Sequence, residues 1–459
     1  MKYFKVFIII AFAAILITPI IFINLKNDQI SLIDNSKLPE LNTINDFYSF
    51  ENYISKRIGF RDNIISLYTK TNDKLFDKMI HPIYIYGTNK YVFFKTEIEK
   101  HDNEYLDEFA KYLKDIQSYV ENRGSYFLFF INPTKISAYN KYLPQGYNYT
   151  NYRINYLKKR MDELKVNYID NTIHLKEISK KEQIFNKKYD AGHWNDIGAF
   201  YGLNNVYNKL ISDGFNISKL NIRDYNLTYE TVTTLPVSEF KINEKIPNLN
   251  LKINNYSFTS NYNDIIKLNK SATYYTETTN SKVNNNYTVL FFRDSYMNRK
   301  EKFVSNIFSK VYYVHSYHNA INIDYYYNLT EPDIVLLDAV EYAITDNYYS
   351  PFEINNKYFN KSYDSFVSLR NNDFIKLDKQ QFIEQIENQK NEKITTIKIN
   401  DSKINYAYLR INKSKIYDFI YENNERSVTL DTNLFNNSKS IEIILINEKE
   451  TKKQIIVLK

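Results

Sequence analysis

The stretch that decides the fold reads Tyr287-Thr288-Val289-Leu290-Phe291-Phe292-Arg293-Asp294-Ser295-Tyr296. It begins as an uncharged, mostly apolar run, the pattern of a strand buried on both faces of a parallel sheet. The run ends abruptly in charged and hydroxyl side chains. Open α/β sheets place their functional groups at the carboxyl ends of the strands. The stretch therefore predicts a central strand that delivers the hydroxyl of Ser295 to a reaction site.

A base for this serine is available upstream, in Asp190-Ala191-Gly192-His193-Trp194-Asn195, just before a helix-like run over residues 196–210. Serine alone is a weak nucleophile and needs an adjacent base. A carboxylate three residues before an imidazole can fix its tautomer while the other ring nitrogen takes the serine proton. The residues predict a Ser295, His193 and Asp190 triad for acyl transfer. The alternative is a turn serine and a half-buried histidine with structural roles.

The surrounding pattern alternates between helices and apolar strands. Residues 106–120 carry apolar side chains at helical spacing, and residues 126–131 form a continuous apolar strand. Further strand-like runs follow at 311–314 and 334–337. This alternation predicts an α/β fold with a doubly wound parallel sheet. Residues 215–285 are polar and weakly periodic, which indicates an insertion bordering the cleft or a plain surface excursion.

The two ends of the chain differ from this body. Lys2 and Lys5 precede an uncharged run over residues 6–23, about the ~20 residues that span a bilayer. We expect an uncleaved signal anchor with the body outside the cytoplasm, the alternative being a cleaved secretory signal. Beyond residue 390 the pattern becomes period-two alternation, which predicts a small antiparallel β-sandwich. The predicted domains are an anchor (1–25), a stalk (26–44), a catalytic domain (45–389) and the β-rich unit (390–459).

Composition narrows the function classes. The chain has 459 residues, 43% hydrophobic and 25% charged, as globular domains have, and no cysteine. Thiolate zinc sites and cysteine nucleophiles are excluded. The net charge of +7 is spread along the chain, which gives little support for nucleic-acid binding. No defensible metal-ligand spacing is present, so we expect neither a metal nor another cofactor.

The two blocks resemble a known group of enzymes. Asp-x-x-His closes the site in SGNH (GDSL-type) hydrolases, but there it follows the serine. The inverted order seen here resembles the alginate O-acetyltransferases of the AlgX/AlgJ kind and the related DHHW proteins. The matching residues of the two blocks are Asp190, His193, Trp194, Gly198, Ala199, Asp294, Ser295 and Tyr296.

Further segments resemble the same group, in the same order, over roughly residues 45 to 345. They are Arg57-Ile58-Gly59-Phe60-Arg61-Asp62, residues 86–94, Asn132-Pro133-Thr134-Lys135 with Tyr142-Leu143-Pro144, and residues 331–337. Two positions depart from the pattern. Arg293 stands where the hydrolase signature has glycine, and the spacing from Asp190 to His193 is one residue longer than in the acetyltransferases. Whether Asp190 or another carboxylate orients His193 stays open.

The resemblance implies supporting roles for other residues. Asn132 is the best candidate to stabilise the oxyanion beside the backbone N–H of Ser295, with Asp294 in support; its alternative is a loop asparagine before proline. Trp194 and Tyr296 are candidate substrate contacts, although Trp194 is equally suited to packing. Lys135 could bind an anionic group of the substrate, or simply be solvated.

The implied function is an extracytoplasmic O-acetyltransferase that acts on a cell-surface or exported polysaccharide through an acetyl-serine intermediate. A membrane partner would supply the acetyl donor. The resemblance also implies a carbohydrate-binding role for the C-terminal unit, where Tyr406, Tyr408, Tyr417 or Tyr421 would stack on sugars or simply pack. Two alternatives stay open: a carbohydrate acetyl-esterase with the same triad, and a non-catalytic surface glycan-binding or scaffold protein.

Overall fold

The computed structural model describes residues 2–26, 37–95, 102–147, 149–236, 240–259, 265–357, 359, 374–379, 383–389, 393–399, 406–422, 425–447 and 453–459. The helices are α1 (Lys2–Ile21), α2 (Phe47–Arg57), α3 (Arg61–Phe76), α4 (Asn103–Glu121), α5 (Lys135–Ala138), α6 (Tyr152–Leu164), α7 (Thr172–Ile178), α8 (Asp196–Ser212), α9 (Glu301–Ser305), α10 (His318–Ile321), α11 (Ile323–Thr330), α12 (Pro351–Asn356) and α13 (Thr432–Asn436). 

The strands of the first part of the chain are β1 (Tyr84–Tyr86), β2 (Val92–Phe94), β3 (Tyr126–Asn132), β4 (Tyr168–Asp170), β5 (Tyr225–Thr234), β6 (Lys241–Leu251), β7 (Ser257–Thr259), β8 (Tyr275–Thr279), β9 (Thr288–Arg293), β10 (Lys310–His315) and β11 (Ile334–Val340). The later strands are β12 (Phe374–Lys376), β13 (Ile383–Gln389), β14 (Ile394–Ile399), β15 (Tyr406–Ile411), β16 (Lys415–Asp418), β17 (Ile420–Glu422), β18 (Glu425–Asp431), β19 (Ile441–Ile446) and β20 (Lys453–Val457).

The main sheet has the strand order β4-β3-β11-β9-β10-β8-β7. In this order, the first five strands, β4, β3, β11, β9 and β10, run parallel to one another. Strand β9, which leads to Ser295, lies between β11 and β10. Its side chains are buried from Val289 to Arg293, because helices cover both faces of the sheet. The predicted apolar strand is thus a central strand whose carboxyl end opens between two parallel neighbours.

Contacts between aromatic side chains identify the helices on each face. Strand register places Phe129 and Phe292 on one face, where they contact Phe109 of α4 and Tyr326 of α11. Phe291 lies on the opposite face beside Tyr313. That face is covered by α9 and by α8, whose Tyr207 hydroxyl donates to a backbone oxygen of α9. Both layers belong to one continuous hydrophobic core.

One edge of the sheet corrects the expectation of parallel strands throughout. Strand β8 pairs antiparallel with β10, and β7 pairs antiparallel with β8. Both strands come from residues 215–285, so part of the expected insertion completes the sheet. The same region forms the antiparallel hairpin of β5 and β6. A strand that enters from a neighbouring hairpin can pair antiparallel without the long crossover that a parallel partner requires.

The N-terminal segment contains a helix, Tyr3–Ile21, that is long and apolar enough to cross a membrane, and a signal sequence has the same character. Two helices, α2 and α3, follow this segment. Asp46 and Ser49 form a capping box that begins α2, and Gly59 lies in the connection that separates the helices. Part of the predicted stalk, residues 27–36, lies outside the described residues.

The C-terminal strands form two sheets, with the orders β12-β20-β19-β15-β16 and β13-β14-β18-β17. The two sheets share a hydrophobic core that includes Ile397 and Val428 of one and Leu409 and Ile443 of the other. Their first strand begins at Phe374, before the boundary predicted at residue 390, and residue 390 itself lies outside the described residues. The unit is joined to the main domain by a buried ion pair between Asp418 and Arg123, which follows α4, and by a hydrogen bond from the hydroxyl of Tyr119 in α4 to Asp418.

Candidate active site

Ser295 begins a 3₁₀ turn, Ser295–Met297, directly after β9 and Asp294. The fully buried carboxylate of Asp294 accepts hydrogen bonds from the N–H groups of Tyr296 (2.8 Å) and Val340 (2.7 Å). Its own N–H donates to Oδ1 of Asp338 at 2.6 Å. The residue before the serine is thus fixed to the adjacent strand β11. This fixes the backbone from which the Ser295 side chain projects.

His193 lies against this serine. Its Nε2 is 3.0 Å from Oγ of Ser295, and its Nδ1 is 2.8 Å from Oδ1 of Asp190. A carboxylate can only accept a hydrogen bond from the ring, so Nδ1 carries the proton and Nε2 is free to take the serine proton. Asp190 is therefore the carboxylate that faces the imidazole, in the arrangement that activates a serine nucleophile.

The turn that carries Asp190 has an unusual backbone. Asp190 has φ of 53°, in the left-handed region that aspartate tolerates better than most residues. Its Oδ1 also accepts from the N–H of His193 at 3.2 Å. These local contacts explain how a spacing of three residues still brings the carboxylate back to the imidazole. The longer spacing seen in the sequence is accommodated by this left-handed turn.

Electrostatics favour a protonatable imidazole. Burial alone lowers the pKa of His193, but the hydrogen bond and charge of Asp190, together with the charge of Asp294, outweigh it and raise the pKa above its ordinary value. Burial raises the pKa of Asp338 well above its ordinary value, and the charge of Asp294 adds to this. Burial likewise raises the pKa of Asp294, although the hydrogen bonds from the N–H groups of Tyr296 and Val340 oppose this.

A second carboxylate supports the turn from outside. The side chain of Glu244, on β6, accepts from the backbone N–H groups of Lys187 (2.6 Å), Lys188 (2.9 Å) and Tyr189 (2.6 Å). These residues directly precede Asp190. The hairpin from the polar region therefore borders the turn that carries Asp190 and His193. No local sequence pattern indicates this role of Glu244, because its partners are more than fifty residues away.

Trp194 and Tyr296 are placed differently from the prediction that they contact substrate. Trp194 is 3% exposed and Tyr296 is 1% exposed. The indole Nε1–H donates to the backbone oxygen of Tyr296 at 2.8 Å, and the Tyr296 hydroxyl donates to the oxygen of Pro133 at 3.1 Å. The two side chains are buried because they join the turn of the base, the turn of the serine and the end of β3. They hold the site together and do not face a substrate.

Lys135 also departs from the prediction. Its side chain is 1% exposed, its Nζ donates to the backbone oxygen of Lys187 at 3.1 Å, and it lies near the rings of Tyr91 and Phe93. A buried ammonium that is already hydrogen-bonded does not present its charge to a substrate anion. The expectation that Lys135 binds an anionic substrate group is therefore wrong.

Asn132 lies at the carboxyl end of β3, which the contact between Tyr296 and Pro133 ties to the serine turn. It is fully buried, and its Oδ1 accepts from Nδ2 of Asn171 at 2.9 Å. Its own Nδ2 has no hydrogen-bond partner among the described residues. Buried amide donors without a partner are uncommon. Its proposed role as an oxyanion donor stays a prediction.

Arg293 replaces a small residue of the hydrolase signature with a large buried one. Its guanidinium lies 3.6 Å over the ring of Tyr274 and donates to the backbone oxygen of Asp294 (3.1 Å) and to Oδ1 of Asn298 (2.5 Å). The arginine thus holds the start and the end of the serine turn. The sequence analysis assigned no such role to Arg293. The position of Arg293 directly before Asp294 was the one local feature that pointed to it.

Other predicted features have simpler placements. No group of three or more His, Cys, Asp or Glu side chains within the described ranges is arranged to hold a metal ion. Tyr408 and Tyr417 are buried, so these two tyrosines pack and do not present their faces to sugars. Tyr421 is exposed, with the guanidinium of Arg426 over its ring.

Comparison of the sequence with protein-family models gives no match, and comparison with curated proteins gives none either. Solved structures do match. PatB1 of Bacillus cereus with a sulfonyl adduct has 18% identity and a TM-score of 0.47, over 57% of this chain and 96% of that one. The O-acetyltransferase domain of Pseudomonas putida AlgJ has 12% identity and a TM-score of 0.42, over 60% and 98%.

AlgX of Pseudomonas aeruginosa also matches, with 9% identity and a TM-score of 0.38, over 82% of this chain and 90% of that one. AlgJ and AlgX are thus among the solved structures that this chain resembles, as the sequence blocks indicated.

Proposed function

We propose that this protein is an SGNH-like O-acetyltransferase that transfers an acetyl group through Ser295 to a hydroxyl of a cell-surface or exported polysaccharide. The observation that carries the proposal is the continuous hydrogen-bonded series from Asp190 through His193 to Ser295, with distances of 2.8 and 3.0 Å. Such a series at the carboxyl end of a central parallel strand supports nucleophilic acyl transfer.

In the first half-reaction, Oγ of Ser295 attacks the carbonyl carbon of the acetyl donor while its proton moves to Nε2 of His193. Asp190 stabilises the imidazolium that forms. The tetrahedral oxyanion would be met by the backbone N–H of Ser295 and by Nδ2 of Asn132, which is buried and has no partner among the described residues. When the intermediate collapses, the donor's leaving group takes the proton from Nε2 and departs, leaving acetyl-Ser295.

In the second half-reaction, a sugar hydroxyl takes the place of the leaving group. It gives its proton to Nε2 of His193 and attacks the acetyl carbon, and collapse returns the proton to Oγ of Ser295. Water in the same position would make the protein an acetyl-esterase. Both half-reactions use the same imidazole as base and then acid.

The proposal places this chemistry outside the cytoplasm, with α1 as a signal anchor, Lys2 and Lys5 on the inner side, and a membrane partner as the source of the acetyl donor. The C-terminal sheets would form a β-sandwich that binds the polysaccharide. Exposed Tyr421 is its candidate stacking residue, since aromatic faces suit sugar rings.

The test is intact-mass measurement of the full-length chain in detergent after incubation with an activated acetyl ester such as p-nitrophenyl acetate. We expect one added acetyl group that maps to Ser295 and is absent in Ser295→Ala and His193→Ala. Ser257→Ala, on an exposed edge strand, is the matched control and should acquire the adduct.

Adding an acceptor oligosaccharide then distinguishes acetyl transfer from hydrolysis. Acetyl transfer to sugar that exceeds hydrolysis supports the transferase, whereas hydrolysis unaffected by sugar supports the esterase. A folded protein that neither acquires the adduct nor turns over the ester would instead support a non-catalytic glycan-binding protein.

A further inference from the structure

The connection between α2 and α3 is attached to the last turn of the apolar helix α1. The N–H of Gly59 donates to the backbone oxygen of Pro19 at 2.9 Å, and the N–H of Asn24 donates to the oxygen of Arg57 at 2.7 Å. The rings of Phe22 and Phe60 lie 5.2 Å apart. A Cβ atom at Gly59 would come within 2.3 Å of the Phe22 oxygen, so the close approach requires glycine there.

The buried guanidinium of Arg57 reinforces this junction. It is 1% exposed and donates to the backbone oxygens of Pro39, Asn24 and Lys26, each at 2.8 Å. Asn24 and Lys26 belong to the segment that leaves α1. The position of α2 and α3 is therefore set by several independent contacts to the end of α1.

These contacts indicate how deep the connection between α2 and α3 lies relative to the membrane. The apolar span Tyr3–Ile21 has 19 residues, and a helix of that length covers about 28 Å, close to the ~30 Å hydrocarbon core of a bilayer. When α1 spans the membrane, Pro19 and Phe22 lie at the outer boundary of the hydrocarbon. Gly59 and Phe60, which contact them, then lie at the same level.

Helix α3 begins directly after Phe60 and carries a row of exposed apolar side chains. Ile64, Leu67, Tyr68 and Leu75 are 52%, 67%, 57% and 72% exposed. Their spacing of three, four and eleven residues from Ile64 places them on one helix face. On another side of the helix, Ile65 and Thr69 line a cavity of about 890 Å³ beside β1, and Phe76, which is 69% exposed, also borders it. A helix that carries an exposed apolar face beside the end of α1 has the character of an interfacial helix.

We propose that α3 lies in the headgroup region of the outer leaflet, with Ile64, Leu67, Tyr68 and Leu75 directed into lipid. The occupant of this face is the bilayer because the face continues from the point where α1 leaves the hydrocarbon. The inference rests on the proposed membrane placement of α1, and it is independent of the acyl chemistry at Ser295.

This arrangement connects the membrane to the catalytic turn. Ile85 and Tyr86 of β1 line the same cavity as α3, and β1 pairs with β2. Phe94 of β2 lies so close to Gly192 that a Cβ there would be 2.9 Å from its ring. Gly192 is in the turn between Asp190 and His193. The reaction site is thereby held at a fixed distance from the bilayer, which favours acceptor chains that emerge from the membrane nearby.

The chain contains no cysteine, so single-cysteine variants of the full-length protein carry one label each. We would label Ile64→Cys, Leu67→Cys and Leu75→Cys with the fluorophore NBD and reconstitute them in vesicles of three parts phosphatidylcholine to one part phosphatidylglycerol. Ile253→Cys, 70% exposed on the loop after β6, is the matched control, and Ile10→Cys within α1 verifies insertion.

Quenchers in the lipid and in the water then report the surroundings of each label. We expect nitroxide-labelled lipid to quench the three α3 labels at least ~3-fold more than Ile253→Cys, and aqueous iodide to do the reverse. The proposal is overturned if the α3 labels respond like Ile253→Cys. It is also overturned if they resist both quenchers, which would indicate a second copy or another protein on this face, or if Ile10→Cys is not quenched by lipid. Acetylation of Ser295 is measured separately on the same variants.

Discussion

The indole N–H of Trp194 donates to the backbone oxygen of Tyr296 at 2.8 Å. Each residue directly follows a member of the proposed triad, His193 in one case and Ser295 in the other. The single tryptophan of the chain therefore couples two turns that are about a hundred residues apart in sequence. Gly202 makes this possible, because a Cβ there would come within 2.5 Å of the indole ring.

Replacing Trp194 with phenylalanine should separate this coupling from simple packing. Trp194→Phe keeps an aromatic ring but removes the buried N–H donor, which we expect to cost about 1 kcal/mol of unfolding free energy and to slow acylation of Ser295. Denaturant unfolding followed by circular dichroism and the acylation rate measure the two effects. Tyr207→Phe, which loses a buried hydrogen bond from the tyrosine hydroxyl to the backbone oxygen of Phe303, is the control. It should lower the unfolding free energy without slowing acylation. Equal acylation rates in both variants would contradict the coupling.

The acylation rate should depend on pH through His193. Only the neutral imidazole accepts the serine proton, so the rate rises as pH increases through the raised pKa of His193. Asp190→Asn removes the charge that helps to raise this pKa and leaves only a neutral amide oxygen as the hydrogen-bond acceptor. We expect the midpoint to move to lower pH and the plateau rate to fall roughly 10³-fold. A profile with an unchanged midpoint would show that another group controls the titration.

The Nδ2 group of Asn132 should stabilise the transition state of acylation. Asn132→Ala removes the Nδ2 donor, and we expect acylation to slow by about 10²-fold, the effect of losing one oxyanion donor. The melting temperature should fall in Asn132→Ala and in Asn171→Ala alike, because both variants lose the buried hydrogen bond between Oδ1 of Asn132 and Nδ2 of Asn171. In Asn171→Ala, Asn132 loses the donor to its Oδ1, and a smaller decrease in the acylation rate is expected. Unchanged acylation in Asn132→Ala would exclude it as the oxyanion donor.

The stability of the protein should depend on the buried ion pair between Asp418 of the C-terminal unit and Arg123, just after α4. The side chains of Arg123 and Asp418 are 9% and 4% exposed, and Asp418 also accepts from the hydroxyl of Tyr119 at 2.9 Å. Asp418→Asn leaves the arginine charge buried without its partner, which should cost ~3 kcal/mol. Thermal unfolding measures the loss. Glu177→Gln, which breaks an exposed ion pair with Lys180, should change stability by only about 0.5 kcal/mol. Similar shifts in both variants would contradict this prediction.

Much of the architecture could be predicted from local patterns. The apolar runs became β3, β9, β10 and β11, since a strand buried on both faces must be apolar throughout. The edge of the sheet could not be predicted in this way. Strands β7 and β8 are short and polar, and their pairing depends on β10, which lies later in the chain. Sequence periodicity contains no information about such partners.

The sequence by itself determined which residues could do the chemistry and where each turn would fall. Asp190, His193 and Ser295 are recognisable because a hydroxyl after an apolar strand and a carboxylate near an imidazole are local features. Only the tertiary structure decided that Nε2 of His193 faces Ser295 at 3.0 Å, and that Trp194, Tyr296 and Lys135 are buried. Those outcomes depend on packing between segments that are distant in the chain, and side-chain burial is a property of the assembled fold.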